Sequence, residues 1–347
     1  MSKPDAWAVT AAAARHVGNV FVAAEVGGTH ARLALLARDP APGSLPAVLD
    51  YQVYEGAQWP GLLAIFQHFM KQAGGVARHG VLAIAGYVLD DQVVNRNLPW
   101  PVSLRELREG LGLERLEAVN DLEAIAYAAG LAAPSEAAMV LPARAAERGQ
   151  GPLLVMGAGT GFGMAALLRE GEHVKVLPTE SGHISLAPGN DLEVDVLRLL
   201  LKERGRACYE DLLSGPGVLQ LYLAICRLQG VQPRCTRPAS VSAAAVAGDD
   251  PQARLTLDTF CGLLGSFAAD LALAYRASGV YLAGGVLLAI RPLLIGHDAF
   301  ASRFLDKGVV RPFLETIDVR LVEHERWGVL GAAGLFVENQ WAADRAR

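Results

Sequence analysis

The stretch "FVAAEVGGTHARLALL", Phe21–Leu36, sets two apolar runs on either side of Gly27-Gly28-Thr29, with one acid, Glu25, at the lip of the glycine turn. The residues after the glycines lack the helical spacing that follows a phosphate loop, so the pattern predicts a β-hairpin. "LLVMGAGTGFGMAALLRE", Leu153–Glu170, repeats the arrangement, and Thr160 stands 131 positions after Thr29. One such turn alone would be explained by glycines supplying positive φ. Two of them, a domain-sized interval apart, point to two related lobes whose turns face a shared cleft.

The length of 347 residues suits two cores, and 52% apolar residues, 19% charged residues and 37 glycines describe a globular chain with many tight turns. A net charge of −5, with no Lys/Arg block, gives no field for a nucleic-acid backbone. Cys208, Cys226, Cys235 and Cys261 are scattered without a CxxC pair, which predicts buried reduced thiols and a reducing, cytoplasmic compartment. Residues 1–19 carry Pro4, Asp5 and Arg15 and read as a loose lead-in rather than a secretion signal. No uninterrupted apolar stretch approaches the ~20 residues of a membrane span.

Between the two turns, "GLLAIFQHFMKQAG" has helical spacing, "GVLAIAGYV" reads as a strand, and "VSLRELREGLGL" as a helix with Ser103 as its cap. "LEAVNDLEAIAYAAGLAA" passes from strand to helix at Asn120-Asp121. Several helical segments follow the second turn, then the strand "GVYLAGGV" and a terminal helix in "WGVLGAAGLFVENQWAA" whose small residues would let it lie close to another backbone. Alternating strands and helices with antiparallel hairpins predict an α/β fold with mixed sheets.

Glycine turns expose backbone N–H groups to an anion, and the threonine hydroxyls add a donor each. Neither turn is a G-x-x-x-x-G-K-[ST] loop, nor a strand–G-x-G-x-x-G–helix unit. Asp121 stands where a strand ends and a helix begins, so it is either an N-cap or a proton acceptor for a bound hydroxyl. "PTESGHISLAP", Pro178–Pro188, gathers Glu180 and His183, which can pair with vicinal hydroxyls or simply form a solvated turn. Glu210, in "CYEDLLSGPG", reads in isolation as a first-turn helix acid.

In this order the motifs resemble those of the bacterial glucokinase family, within the actin-like, hexokinase-type superfamily of ATP-dependent sugar kinases. "EVGGTHARLAL" resembles the first phosphate motif, "VNDLEAIA" the catalytic segment and "GAGTGFG" the second phosphate motif. "ESGH" and "YEDLLSGPG" resemble the sugar segments, and "GVYLAGGV" the adenosine motif. The likeness runs from about Phe21 to near the C-terminus. It implies a two-lobed actin-like ATPase (ribonuclease H-like) α/β fold with a cleft between the lobes. Residues 1–119 would form a small lobe joined by a C-terminal helix at about 328–347, and residues 120–327 a large lobe. A homodimer is implied as well.

The resemblance assigns Asp121 as the base that takes the proton of the glucose 6-hydroxyl. It gives Asn97, Asn120, Glu180, His183 and Glu210 to glucose. Ala24, Glu25, Val26, Gly27, Gly28, Thr29, Gly159, Thr160, Gly161, Gly284 and Gly285 go to ATP, and Glu25 also to Mg²⁺. The family carries Asp where this chain has Glu25 and Asn where it has His30. A Cys-rich zinc motif and a DNA-binding helix pair, found in related repressors, are not in the sequence. A kinase for another hexose, and a sugar-sensing protein that has lost catalysis, are the competing readings.

Overall fold

The structure, a computed structural model, describes residues 20–38, 44–74, 77–94, 98, 100–144, 151–170 and 173–345, so the expected lead-in at 1–19 and the expected sugar residue Asn97 lie outside it. β1 (Val20–Val26) and β2 (His30–Ala37) form the hairpin, antiparallel from Val20↔Ala37 to Val26↔Ala31. β3 (Val48–Glu55) extends it, and α1 (Leu62–Gln72) buries Leu62, Ile65, Phe66 and Phe69 along one stripe. β4 (His79–Ile84) returns parallel to β1. The two-stranded β5 (Tyr87–Leu89) and β6 (Gln92–Val94) lead to α2 (Leu104–Gly110), whose N-cap Ser103 accepts the Glu106 N–H at 3.1 Å. β7 (Arg115–Asn120), parallel to β4, runs directly into α3 (Asp121–Leu131). The sheet order is β3-β2-β1-β4-β7.

β8 (Ala137–Leu141), β9 (Leu153–Ala158), β10 (Phe162–Glu170) and β11 (His173–Thr179) come next. Helices α4 (Asp191–Arg204), α5 (Glu210–Leu213), α6 (Gly215–Leu228), α7 (Pro238–Ala247) and α8 (Pro251–Tyr275) precede β12 (Gly279–Ala283). Then α9 (Gly285–Ala289), α10 (Arg291–Gly296), α11 (Ala299–Leu305) and α12 (Arg311–Leu314) lead to β13 (Asp318–Val322) and α13 (Trp327–Arg345). The second sheet, ordered β11-β10-β9-β12-β13-β8, holds the second hairpin, with β9 and β10 antiparallel and β12 parallel to β9. Both large sheets are mixed.

α8 is long and apolar enough by composition to cross a membrane, but Leu257, Phe260, Leu264 and Phe267 along it are core side chains of the second unit. Its start is fixed by Asp250, which accepts the amides of Gln252 and Ala253 at 2.9 and 3.2 Å and the Tyr222 hydroxyl at 2.7 Å. An aspartate at an N-cap answers N–H groups that have no partner inside the helix.

Among the described residues the chain divides into two compact units. The first runs to Ala133 and includes Arg169–Val176 and the chain from Glu325 onward; the second is Pro134–Leu168 with Leu177–His324. The first unit therefore continues past the boundary expected at 119/120, because α3 is locked to α13. A β-carbon on Gly331 would stand 1.6 Å from the Ala124 carbonyl oxygen, so no other residue permits this approach without moving backbone.

Strand period then decides what each residue of β1 meets. Val20, Val22, Ala24 and Val26 point into the core shared with α1 and α2, whereas Phe21 and Ala23 point into the core shared with Val329, Ala333 and Phe336 of α13. Glu25 is the next position on that second face, where the apolar packing ends.

Candidate active site

In the first unit, Glu25 and Asp121 stand at the carboxyl ends of β1 and β7, parallel strands that flank β4. The hairpin register sets Arg32 opposite Glu25, and its guanidinium lies 3.8 Å from Glu25 Oε1 and 3.6 Å from Glu325. The Glu25 carboxyl is pushed up to about 7, chiefly by burial, with Arg32 pulling it down and the charges of Asp121 and Glu325 adding to the rise. Burial also raises Asp121, against the pull of the Leu122 amide. That amide is 2.9 Å from Asp121 Oδ1, and the Asp121 amide also pulls the carboxyl down.

The N-cap of α3 is Asn120, not Asp121. Asn120 has extended backbone, and its Oδ1 accepts the same Leu122 amide at 2.9 Å, so what it can offer a bound hydroxyl is its amide nitrogen. Asp121 is the first residue of the helix and shares the Leu122 amide with that cap.

The first glycine turn closes on itself through Gly27 N–H to His30 O at 3.0 Å. Thr29 accepts the Gly56 N–H on its carbonyl at 2.8 Å and shares a 2.9 Å hydrogen bond between its hydroxyl and His30 Nδ1. Gly27 does not have positive φ, and a β-carbon there would meet nothing nearer than 3.8 Å. Conformational need does not explain this glycine. Ala24 and Val26 are 0% and 2% exposed, so their side chains belong to the core rather than to a ligand.

The second turn repeats the design. Gly159 N–H closes it onto Gly161 O at 2.9 Å, and a β-carbon on Gly159 would meet nothing within 4 Å. Three neighbours of the second unit brace it. Glu210 Oε2 accepts the Phe162 N–H at 2.8 Å, and Gly215 N–H donates to Gly159 O at 2.7 Å. Gly182 lies so close to the Phe162 carbonyl that a β-carbon would overlap it. Gly284 has φ of +104° and sits 2.3 Å, by its would-be β-carbon, from the Ala158 carbonyl oxygen, so both conformation and space demand glycine there. Gly285 is exposed and opens α9. Glu180 and His183 reach into solvent from one short 3₁₀ turn, with His183 Nε2 4.0 Å from Glu180 Oε2.

Thus Glu25, the first turn, Asn120 and Asp121 are neighbours at one end of the first sheet. Glu180, His183, Glu210 and the second turn are neighbours in the second unit, with Gly284 against the strand that leads into that turn. Three residues escaped the sequence reading. Arg32 could have been found by counting across the hairpin from Glu25. Gly328 and the Phe162 amide could not, because they meet Glu25 and Glu210 only through tertiary packing.

The donor set suits a magnesium ion that arrives with phosphates. Glu25 and Asp121 are all-oxygen donors whose ionised forms are disfavoured by burial, and a cation would offset that. The described residues contain no group of three or more His, Cys, Asp or Glu able to cage a metal alone.

The sequence model of the family described as Glucokinase matches residues 22–339. A "Glucokinase-like protein" of Xylella fastidiosa strain 9a5c is 42% identical over 327 residues, covering 92% of this chain and 95% of that protein. The glucokinase of Saccharophagus degradans strain 2-40 is 34% identical over 316 residues, with 90% and 97% covered. The crystal structure of a glucokinase from an Antarctic psychrotroph superposes with a TM-score of 0.78 at 32% identity, over 92% of this chain and 99% of that one.

Proposed function

Starting from the fact that this chain belongs to the glucokinase family of sugar kinases and shares its actin-like α/β fold, we propose that it transfers the γ-phosphoryl group of ATP to the 6-hydroxyl of glucose. The observation that supports this reading is Asp121, a carboxylate at the end of β7 and the head of α3 whose proton affinity is raised by burial.

Asp121 Oδ2 takes the proton of the sugar hydroxyl as the O6–phosphorus bond forms and the bond from the γ-phosphorus to the ADP oxygen breaks. Burial that raises the carboxyl's proton affinity makes it a better acceptor than a solvated aspartate. Asn120, Glu180, His183 and Glu210 are the hydroxyl-binding groups, with Asn97 assigned to the same role. The amides of Gly28, Thr29, Thr160 and Gly161 serve the phosphates, and Gly284 and Gly285 the adenosine side. Glu25, with Asp121, would hold Mg²⁺ through water; the ion supplies charge neutralisation to the transferring phosphoryl group. The rest of the catalysis is positioning. Four free, buried cysteines suit a reducing cytoplasm.

The test is kcat/KM for glucose, mannose, fructose and N-acetylglucosamine with Mg·ATP, read by coupled ADP release. Glucose should lead the panel. A higher value for another hexose moves the substrate assignment. Sugar-independent ADP release throughout, beside calorimetric glucose binding, replaces the kinase by a sugar sensor.

A further inference from the structure

The carboxylate of Glu25 lies against the first turn of α13, at a position where the helix has no side chain. A β-carbon on Gly328 would stand 2.5 Å from Glu25 Cδ, 2.7 Å from Oε2 and 2.9 Å from Cγ. Gly328 has no positive φ and is the second residue of a regular helix, where alanine is the better former, so its own backbone gives no reason for glycine. Gly331, one turn on, is different: there the β-carbon would strike the Ala124 carbonyl oxygen, which is backbone and cannot yield. At Gly328 the obstacle is the far end of one flexible side chain. A methyl group at 331 breaks the packing, whereas one at 328 moves a carboxylate.

The rest of the Glu25 environment leaves that carboxylate little choice. Its own strand places it on the α13 face, the cross-strand Arg32 holds Oε1 from one side, and Glu325, just before α13, competes for the same guanidinium. Glutamate is one C–C bond longer than aspartate, and the extra reach is laid over Gly328.

We propose that Gly328 is a positioning residue for Glu25: the missing side chain on α13 is the space into which the longer acid folds, so that its carboxylate serves the metal–nucleotide group. The proposal rests on the reading of Glu25 as the metal-side acid. Residues 25 and 328 then act as a matched pair, and neither can be changed without the other being felt.

The experiment compares wild type with G328A, E25D, E25D/G328A, E25A/G328A and E25Q. Mn²⁺ binding is followed by electron paramagnetic resonance with the non-hydrolysable analogue AMPPNP, alongside the denaturation midpoint and the KM and kcat for Mg·ATP. G328A should keep a wild-type midpoint while its Mn²⁺ affinity falls by roughly 10–100-fold, the scale found when a metal ligand loses its outer support. E25D/G328A should bind Mn²⁺ within about threefold of E25D alone, since the shorter acid withdraws from the added methyl.

Unchanged Mn²⁺ affinity in G328A overturns the proposal, and so does a double variant that loses the product of the two single effects. Should G328A be destabilised, E25A/G328A must regain the midpoint of E25A alone; failure to do so places the clash elsewhere and also overturns it. The E25Q arm separates the two layers: wild-type Mn²⁺ affinity in E25Q removes Glu25 from the metal side, whatever Gly328 does.

Discussion

Glu210 Oε2 accepts the backbone N–H of Phe162 at 2.8 Å, so an acid assigned to the sugar is at the same time a brace of the second glycine turn. Glutamine at 210 keeps an oxygen for Phe162 but loses the charge, whereas alanine removes both. Glu210→Ala should raise KM for ATP as well as for glucose, each by roughly tenfold or more, the worth of a hydrogen bond to a charged group. Glu210→Gln should raise KM mainly for glucose. Steady-state kinetics with each substrate varied in turn decides it, and equal nucleotide KM in both variants would show that the brace is dispensable.

Asp121→Asn should lower kcat by about 10²–10⁴-fold while glucose still raises the melting temperature, because a lost base does not remove the other hydroxyl-binding groups. In the wild type the acid limb of the kcat profile should fall at a pH above the ordinary aspartate range, since burial holds the carboxyl protonated to higher pH. Near-wild-type kcat in the variant would rule Asp121 out as the base.

Stability of the metal-free chain should fall as pH rises between about 4.5 and about 7. The Glu25 carboxyl is raised in the folded chain, mainly by burial, so over that window the folded state binds more protons than the unfolded one. The stabilisation is complete below the unfolded value and is lost on passing the folded one. Glu25→Gln should flatten this part of the profile in denaturant titrations run in EDTA. Parallel profiles for the two proteins would contradict the assignment.

Gly331→Ala should destabilise the protein by about 1–3 kcal/mol or more, as overpacking against backbone does. The added carbon has nowhere to go between α13 and the Ala124 carbonyl. A urea midpoint within error of wild type would refute the close approach of α3 and α13.

Gly159→Ala tests the opposite case. Nothing lies within 4 Å of the position a β-carbon would take and φ is not positive, so the fold should tolerate the change. KM for ATP should rise all the same, because the methyl group obstructs approach to the turn. Unaltered nucleotide kinetics would mean that the glycine is not there to admit phosphate.

The hairpins around Gly27 and Gly159 were legible because period and composition change together at a turn, and their repetition carried the architecture. The junction at Asn120-Asp121 was legible for the same reason. The cap was not: two adjacent side chains can each reach the Leu122 amide, and only the backbone angles choose Asn120. The grouping of α3 with the first unit was not legible, because it depends on the contact of Ala124 with Gly331, residues more than half the chain apart, whose small size shows in the sequence but whose partner does not. Positive φ was the competing explanation for the turn glycines, and neither Gly27 nor Gly159 has it; both have open flanks instead, a property of the surroundings rather than of the residue.

The helix that covers Phe21 and Ala23 is encoded after the entire second unit. During translation at about 5–20 residues per second, the strands of the first sheet leave the ribosome roughly ten seconds or more before Trp327–Arg345 is made. Throughout that interval this apolar face of the nascent sheet has Ala124 of α3 but lacks the cover of Val329, Ala333 and Phe336, and it is the surface on which a holding chaperone would act.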